Sequence, residues 1–375
     1  MCRIESCYDY QFPLMNKNIR IKDIAQLAGV SVGTVDRVIH KRGQVSRDAH
    51  DKVMEILDKT GYKPNLIART LGSNKIYSIA ALIPEPSQDE YWGLSGQGVQ
   101  NAMEAWEQYG VQVDTYYFDL YGTRSFEELA RQVLSRAPDG ILAAPIFHGE
   151  ALKFFAECQL REIPYVVFNN NLPEANPISF IGQDLYQSGR VAAELLHMSQ
   201  QWPGVFAILH IYDDIDKSTH LAEKEKGFRE YFASRSSGGF SVISRDFNYT
   251  HQPTLHKELN EVISRTDLKG ILVTTSKGAT IVSSLLEQHG KKAVRLVAYD
   301  LLKQNLHYLK KGIIDFLINQ NIQQQAFTGV NQLANRLLFN KAIQPTYLFP
   351  LEIITRQNLD SYLQLPAMRS VTTDL

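Results

Sequence analysis

The residues of this chain best suited to chemistry are fixed positive charges crowded near its start. Between Ile19 and Gly72 stand ten basic residues, Arg20, Lys22, Arg37, Lys41, Arg42, Arg47, Lys52, Lys59, Lys63 and Arg69. Six acidic ones oppose them, Asp23, Asp36, Asp48, Asp51, Glu55 and Asp58. The net is +4, which leaves −5 for the remainder of a 375-residue chain whose total is −1. A small basic head on an acidic body is the asymmetry expected when only one end meets phosphate.

Groups that do covalent or metal chemistry are not spaced for it. The ten histidines form no HExxH, and His251 and His256 lie in a proline-containing stretch ill-suited to a metal. Ser276 sits in TTSKG without the G-x-S-x-G elbow of a nucleophile. Gly96 and Gly98 lack the G-x-G-x-x-G spacing and are expected to follow a long proline-containing loop, not a tight strand turn. Gly72 to Lys75, GSNK, is no phosphate loop. Cys2, Cys7 and Cys158 have no paired spacing for a disulfide framework or a zinc site, and fit a reduced, cytoplasmic setting. The reading is of a chain that is not an enzyme and uses no metal and no cofactor.

Elements of two kinds must position whatever the chain binds. In the head, the pattern predicts a helix from about Lys22 to Ala28, with Gly29 as its left-handed stop. Ser31 caps a second helix with Val35, Val38 and Ile39 on its apolar face. Ser46 caps a third, which buries Val53, Ile56 and Leu57 and stops at Gly61. From Ile76 the grammar changes: strand-length apolar runs such as IYSIAALIP, VQVDTYYFD, GILAAPIF, IPYVVFN and SFIG alternate with amphipathic helices. A second series begins near Gly182, with VFAILHIY, FSVISRDFN, KGILVTTS and RLVAYD. Buried runs joined by helices mean parallel α/β layers, and their number suggests two such units in tandem. No stretch approaches the roughly 18 apolar residues of a membrane span, and the first residues have no apolar core of signal-peptide length.

The head resembles the DNA-binding domain of the lactose-repressor (LacI/GalR) family. The matching residues are Ile24-Ala25, Ala28-Gly29-Val30-Ser31, Thr34-Val35, Arg37-Val38, Val45-Ser46, Gly61-Tyr62, Pro64-Asn65 and Ala68-Arg69. The resemblance implies a helix-turn-helix whose second helix lies in the major groove, N-terminal residues toward base edges. Val32 and Gly33 then occupy the positions that family members vary to change operator preference. Both lack hydrogen-bonding side chains, so readout there rests on methyl contact or backbone approach. Arg37 suits bidentate bonding to guanine, while Thr34 and Ser31 are better placed for phosphate. Asp36 departs from the family's usual serine. A carboxylate there either pairs with Arg37 or Lys41 or accepts from a cytosine amine. Asn65 to Leu71 matches the family's hinge helix, with Leu71 as the minor-groove wedge.

The remainder, Ile76 to Leu359, is similar to the sugar-binding core of the same family and to periplasmic sugar-binding proteins. Landmarks are Pro138-Asp139-Gly140-Ile141, Ile163-Pro164, Asp184 with Gly189-Arg190, Gly227-Phe228, Leu296 to Asp300 and Thr355-Arg356. Ligands of such folds sit at strand C-termini. By this resemblance Tyr91 and Trp92 stack on a sugar ring, and Asn169 and Asn170 lie where a hydroxyl-binding aspartate is common. Lys224 stands where relatives carry arginine, Thr275 matches an asparagine, Asp300 an aspartate and Gln320 the crossover-strand glutamine. Asp300 closes an apolar run, where a carboxylate accepts two hydroxyl bonds well. Lysine offers a point charge in place of a fork, compatible with an acidic or phosphorylated sugar.

The fold expected is an all-α helix-turn-helix head plus an α/β two-lobed periplasmic-binding-protein-like core. A leader spans 1–18, with Met1 or Met15 as start; the head spans 19–64, the hinge and linker 65–75, the core 76–359 and a tail 360–375. Within the core, 76–172 and 301–320 are assigned to the first lobe, 173–300 and 321–350 to the second. The function implied is a regulator, read as a repressor, acting as a homodimer on double-stranded, pseudo-palindromic operator DNA. Its cleft would bind a sugar-like effector, with inducer and corepressor both open. The alternative is a solute-binding receptor with no DNA role.

Overall fold

The computed structural model describes residues 20–39, 43–60, 75–212, 219–233, 239–249 and 252–364. Lys41, the hinge residues Asn65 and Leu71, and the expected stop at Gly61 lie outside them. The chain divides into two units, Met1–Ser73 and Asn74–Leu375.

Among the described residues the first unit holds three helices, α1 (Ile21–Ala28), α2 (Val32–Ile39) and α3 (Arg47–Thr60). Gly29 ends α1 in the left-handed region at φ 64°, a conformation open to glycine at no steric cost. Ser31 Oγ accepts from Thr34 N at 3.1 Å and Ser46 Oγ from Ala49 N at 3.4 Å, so both serines cap the helices they precede. Ile24, Ala25, Ala28, Val35, Val38 and Val53 form the core, with Ile56 and Leu57 half-buried against it.

The second unit contains two six-stranded sheets. The first runs β11-β5-β4-β3-β1-β2 and the second β12-β10-β9-β8-β6-β7. The first sheet's strands are β1 (Tyr77–Pro84), β2 (Val111–Phe118), β3 (Gly140–Ala143), β4 (Tyr165–Phe168), β5 (Ser179–Gly182) and β11 (Thr346–Leu348). The second sheet uses β6 (Val205–Tyr212), β7 (Ser241–Asn248), β8 (Leu268–Val273), β9 (Arg295–Tyr299), β10 (Phe316–Asn319) and β12 (Glu352–Ile354). All pairs are parallel except β10 with β12. Central strands are buried end to end, as a parallel sheet covered on both faces requires.

The strand pairing reverses the lobe assignment of several segments. Strand β5, expected in the second lobe, pairs with β4 in the first sheet. Strand β10, expected in the first lobe, pairs with β9 in the second. The helix that follows it, α12 (Ile322–Phe339), packs on the first sheet, where Leu142 approaches Gly329. A short apolar run declares a strand, yet not the sheet that receives it. The chain therefore crosses three times between the lobes. One side chain ties the crossings together: Gln183 Nε2 donates to Asn319 O at 3.0 Å and to Pro350 O at 2.8 Å.

A second correction concerns Gly96 and Gly98, expected to follow a long proline-containing loop. Helix α4 begins at Glu90 and runs to Trp106, so Gly93, Gly96 and Gly98 are helical and not loop. Three glycines weaken intrinsic helix propensity, but packing demands one of them. A Cβ on Gly98 would sit 2.0 Å from the Gln323 carbonyl oxygen of α12.

Candidate functional site

Helix α2 presents an exposed face in the head. Ser31, Val32, Gly33 and Arg37 are exposed, Val32 at 51%, and Thr34 is half-buried. Their neighbours Val35 and Val38 are buried, so one face holds the helix to the bundle and the other is free to enter a groove. The Ser31 and Thr34 hydroxyls bond each other at 2.9 Å. Ser31 thus shapes the helix start as well as facing outward.

The core unit holds a cavity of about 450 Å³ at the C-terminal ends of strands from both sheets. Seven of the eight expected effector residues line it: Tyr91, Trp92, Asn169, Asn170, Lys224, Thr275 and Gln320. Asp300 does not; it lies buried just behind.

The first lobe supplies an aromatic wall. Asp89 caps α4 by accepting from Tyr91 N at 3.0 Å, which places Tyr91 and Trp92 in its first turn. Asn169 follows β4 in the left-handed region, and its Nδ2 donates to Tyr91 Oη at 2.5 Å. Its backbone N donates to Gln325 Oε1 at 3.1 Å. Trp92 meets the edges of Tyr91 and Phe168, and both rings of the pair are more than nine-tenths buried. They are core and wall at once.

The second lobe supplies the polar wall, and glycines set its geometry. Helices α7 (Leu185–Met198) and α8 (Thr219–Ala233) cross so closely that a Cβ on Gly189 would meet Lys224 O at 1.9 Å. One on Gly227 would meet Tyr186 O at 1.9 Å. That approach sets Lys224 beneath the cavity, where its Nζ donates to Thr274 O at 3.1 Å and sits 3.6 Å from the Tyr299 ring centre. Burial lowers its pKa to about 8, opposed by the attraction of Asp300. Thr275 spends its hydroxyl proton on Ile211 O at 2.8 Å and faces the cavity as an acceptor.

Asp300 was expected to accept ligand hydroxyls, but the protein already supplies its donors. Gln320 N reaches Oδ1 at 2.9 Å, Gln320 Nε2 reaches Oδ2 at 2.7 Å, and Ser276 Oγ donates to the same oxygen. Burial raises its pKa, and the bonds from Ser276 and Gln320, with the Lys224 charge, pull it back. In this arrangement Asp300 positions Gln320 and Ser276, which do line the cavity.

Motif comparison missed several lining residues, among them Phe147, Tyr121, Tyr212, Tyr249, Ser276 and Lys277. Tyr212 and Ser276 end or follow recognisable strand runs, so the rule of strand C-termini could have found them. Lys277 could not be read this way: its Nζ lies 3.4 Å from Tyr121 Oη across the cleft and 4.1 Å from the Tyr249 ring centre. Beneath Thr274 runs a further network. His210 Nδ1 bonds Thr274 Oγ1 at 2.9 Å and its Nε2 bonds Glu225 at 2.7 Å, which in turn accepts from Arg229 Nε at 2.6 Å.

Among the described residues no cluster of histidine, cysteine and carboxylate side chains suits a metal ion. Among the described residues no helix is long and apolar enough to cross a membrane. Cys158 is buried, and burial pushes its thiol up to about 12, far from a nucleophile's range.

Two lobes closing on a cavity at their strand ends define a ligand-binding domain of the periplasmic-binding-protein type. The family described as "Periplasmic binding protein domain" matches residues 79–341, and "Bacterial regulatory proteins, lacI family" matches residues 20–65. Over most of its length the chain belongs to the periplasmic binding protein domain family, and its head matches the lacI family of bacterial regulatory proteins. It is 26% identical over 220 residues to catabolite control protein A of Streptococcus mutans, an alignment covering 56% of this chain and 61% of that protein. It is 24% identical over 283 residues to the ribose operon repressor of Halalkalibacterium halodurans, covering 75% and 80%. A crystal structure of a candidate LacI transcriptional regulator from Bacteroides fragilis superposes with a TM-score of 0.72 at 26% identity. That match covers 77% of this chain and all of the other. GanP, a glucose-galactose binding protein from Geobacillus stearothermophilus, shares the fold at a TM-score of 0.66 and 18% identity, over 76% and 99%.

Proposed function

We propose that this chain is a sequence-specific DNA-binding transcription regulator, acting as a repressor, whose core takes a sugar-like effector. The observation that carries the reading is the joining of two sites in one chain. An exposed lacI-type α2 belongs to the first unit, and a cavity walled by both lobes belongs to the second.

In this reading Val32, Gly33 and Arg37 meet base edges, while Ser31, Thr34 and Lys41 hold phosphate. Asn65 to Leu71 form the hinge that inserts Leu71 into the minor groove. Two copies, paired through their cores in the cytoplasm, read a pseudo-palindrome. Effector bound between the lobes favours one lobe arrangement, and the difference in its affinity for the two arrangements sets how far operator binding shifts.

The test is selection of duplexes from a random library by the full chain, followed by anisotropy titration at several salt concentrations. A repressor returns a palindromic site whose affinity falls steeply with salt and changes on adding a cavity ligand. If no sequence is enriched even at low salt, the DNA reading fails and the solute-receptor reading replaces it.

A further inference from the structure

The cavity is electrostatically one-sided. Its second-lobe wall carries two ammonium groups, Lys224 and Lys277, and neither is neutralised by a carboxylate within ion-pair distance among the described residues. Lys224 is 2% exposed, with a backbone carbonyl and the face of Tyr299 as its partners. Lys277 has a tyrosine hydroxyl and a tyrosine ring. The charged lining residue of opposite sign, Asp89, belongs to the first lobe, where it caps α4. Asp300, behind the wall, spends its charge on three donors from Gln320 and Ser276.

The same wall ends in a helix start. Helix α10 (Gly278–Gln288) begins directly after the lining residues Thr274 to Lys277 and has no side-chain cap. Its first amides add positive potential at the cavity edge. The opposite wall, with Tyr91, Trp92 and Phe147, is flat and aromatic and suits the apolar face of a ring. A buried ammonium whose direct contacts are neutral, with Asp300 attracting it only from behind the wall, gains from an incoming anion, because both the attraction and the relief of its desolvation appear on binding.

Resting on the effector reading above, we propose that the effector is an acidic sugar. Its ring lies on the aromatic wall of the first lobe, and its anionic group meets Lys224, with Lys277 and the start of α10 at the edge.

Matched pairs on the full chain test this by calorimetry: D-glucuronate with D-glucose, D-galacturonate with D-galactose, and glucose 6-phosphate with glucose. The expected result is that an acid binds at least tenfold tighter than its own neutral partner. That preference should vanish in Lys224→Met and shrink in Lys277→Met. Whether a uronate or the phosphate gives the larger preference distinguishes the two kinds of acid. A neutral sugar binding as tightly as its acid overturns the proposal while the effector reading stands, as does an acid preference that survives Lys224→Met. Silence from every acid and every neutral sugar in a folded chain removes the effector reading itself. The comparison of pairs on the unaltered protein needs no variant to fold.

Discussion

The two walls of the cavity are built on opposite principles. The first-lobe wall is made of groups that also belong to the hydrophobic core: Tyr91 and Trp92 pack with Val99, Phe168 and Ile322. The second-lobe wall adds polar groups to Leu185, Ile211 and Leu221, and most of those groups are held by another, from Thr275 on Ile211 O to Gln320 on Asp300. Recognition by the first wall is a matter of shape and apolar area, and by the second of donors, acceptors and charge. A ligand that bridges them must satisfy both, which makes the pair selective where each alone would be permissive.

The comparison can be broken first at its scaffold. Gly227→Val drives a side chain into the Tyr186 carbonyl, and the α7–α8 crossing beneath Lys224 has no room to yield. A loss of about 3 kcal/mol or more of stability is expected, read by chemical denaturation. Unchanged stability would mean that the close crossing does not support the polar wall. Asp300→Ala should come next. It frees Ser276 and Gln320 together, and lost bonds to a charged group are worth about 1.5–3 kcal/mol each. Ligand affinity should fall about 100-fold while operator affinity holds, in parallel calorimetry and anisotropy titrations. Retained ligand response would confine Asp300 to a structural part.

The third test separates charge from shape. A lysine whose folded pKa lies near 8 against 10.5 unfolded destabilises the folded state wherever both states are charged, below about pH 8. That cost fades as pH rises from about 8 to 10.5, where the folded state has released its proton and the unfolded state has not. Lys224→Met should therefore exceed the wild type in stability at neutral pH. The gap should narrow by up to about 1.4 kcal/mol per pH unit above pH 8, followed by urea denaturation across pH. A gap independent of pH would show that Lys224 keeps its ordinary pKa in the folded chain. Last, outside the cavity, Arg37→Ala should relax preference at one base pair by about 1–3 kcal/mol. An unchanged binding profile over single-base variants would remove Arg37 from base readout.

The sequence disclosed these regions unequally, for a physical reason. In the head, caps and apolar faces act over a few residues, so Ser31, Gly29 and the buried Val35 and Val38 are visible in one contiguous stretch. The cavity draws on segments from Asp89 to Gln320. Its strand-end residues could be placed by resemblance, and seven of eight do line it. Lys277 and Tyr121 gain their meaning only from meeting across the cleft, and nothing local announces that. Strands β10, β11 and β12 are three or four residues long, too short for periodicity to report. The lobe exchange was missed because it turns on which sheet accepts such a strand. The early start of α4 was missed because Gly93, Gly96 and Gly98 weaken its propensity, although packing requires only Gly98.

Gln183 joins the three crossings through one amide, holding Asn319 and Pro350 on different strands of the chain. Sliding one lobe past the other would stretch both bonds, whereas turning about that amide leaves them nearly unchanged. The molecule is thereby given an axle. A movement of the lobes about it is an angle, and a substitution at Gln183 is expected to loosen the bearing while leaving the residues that line the cavity untouched.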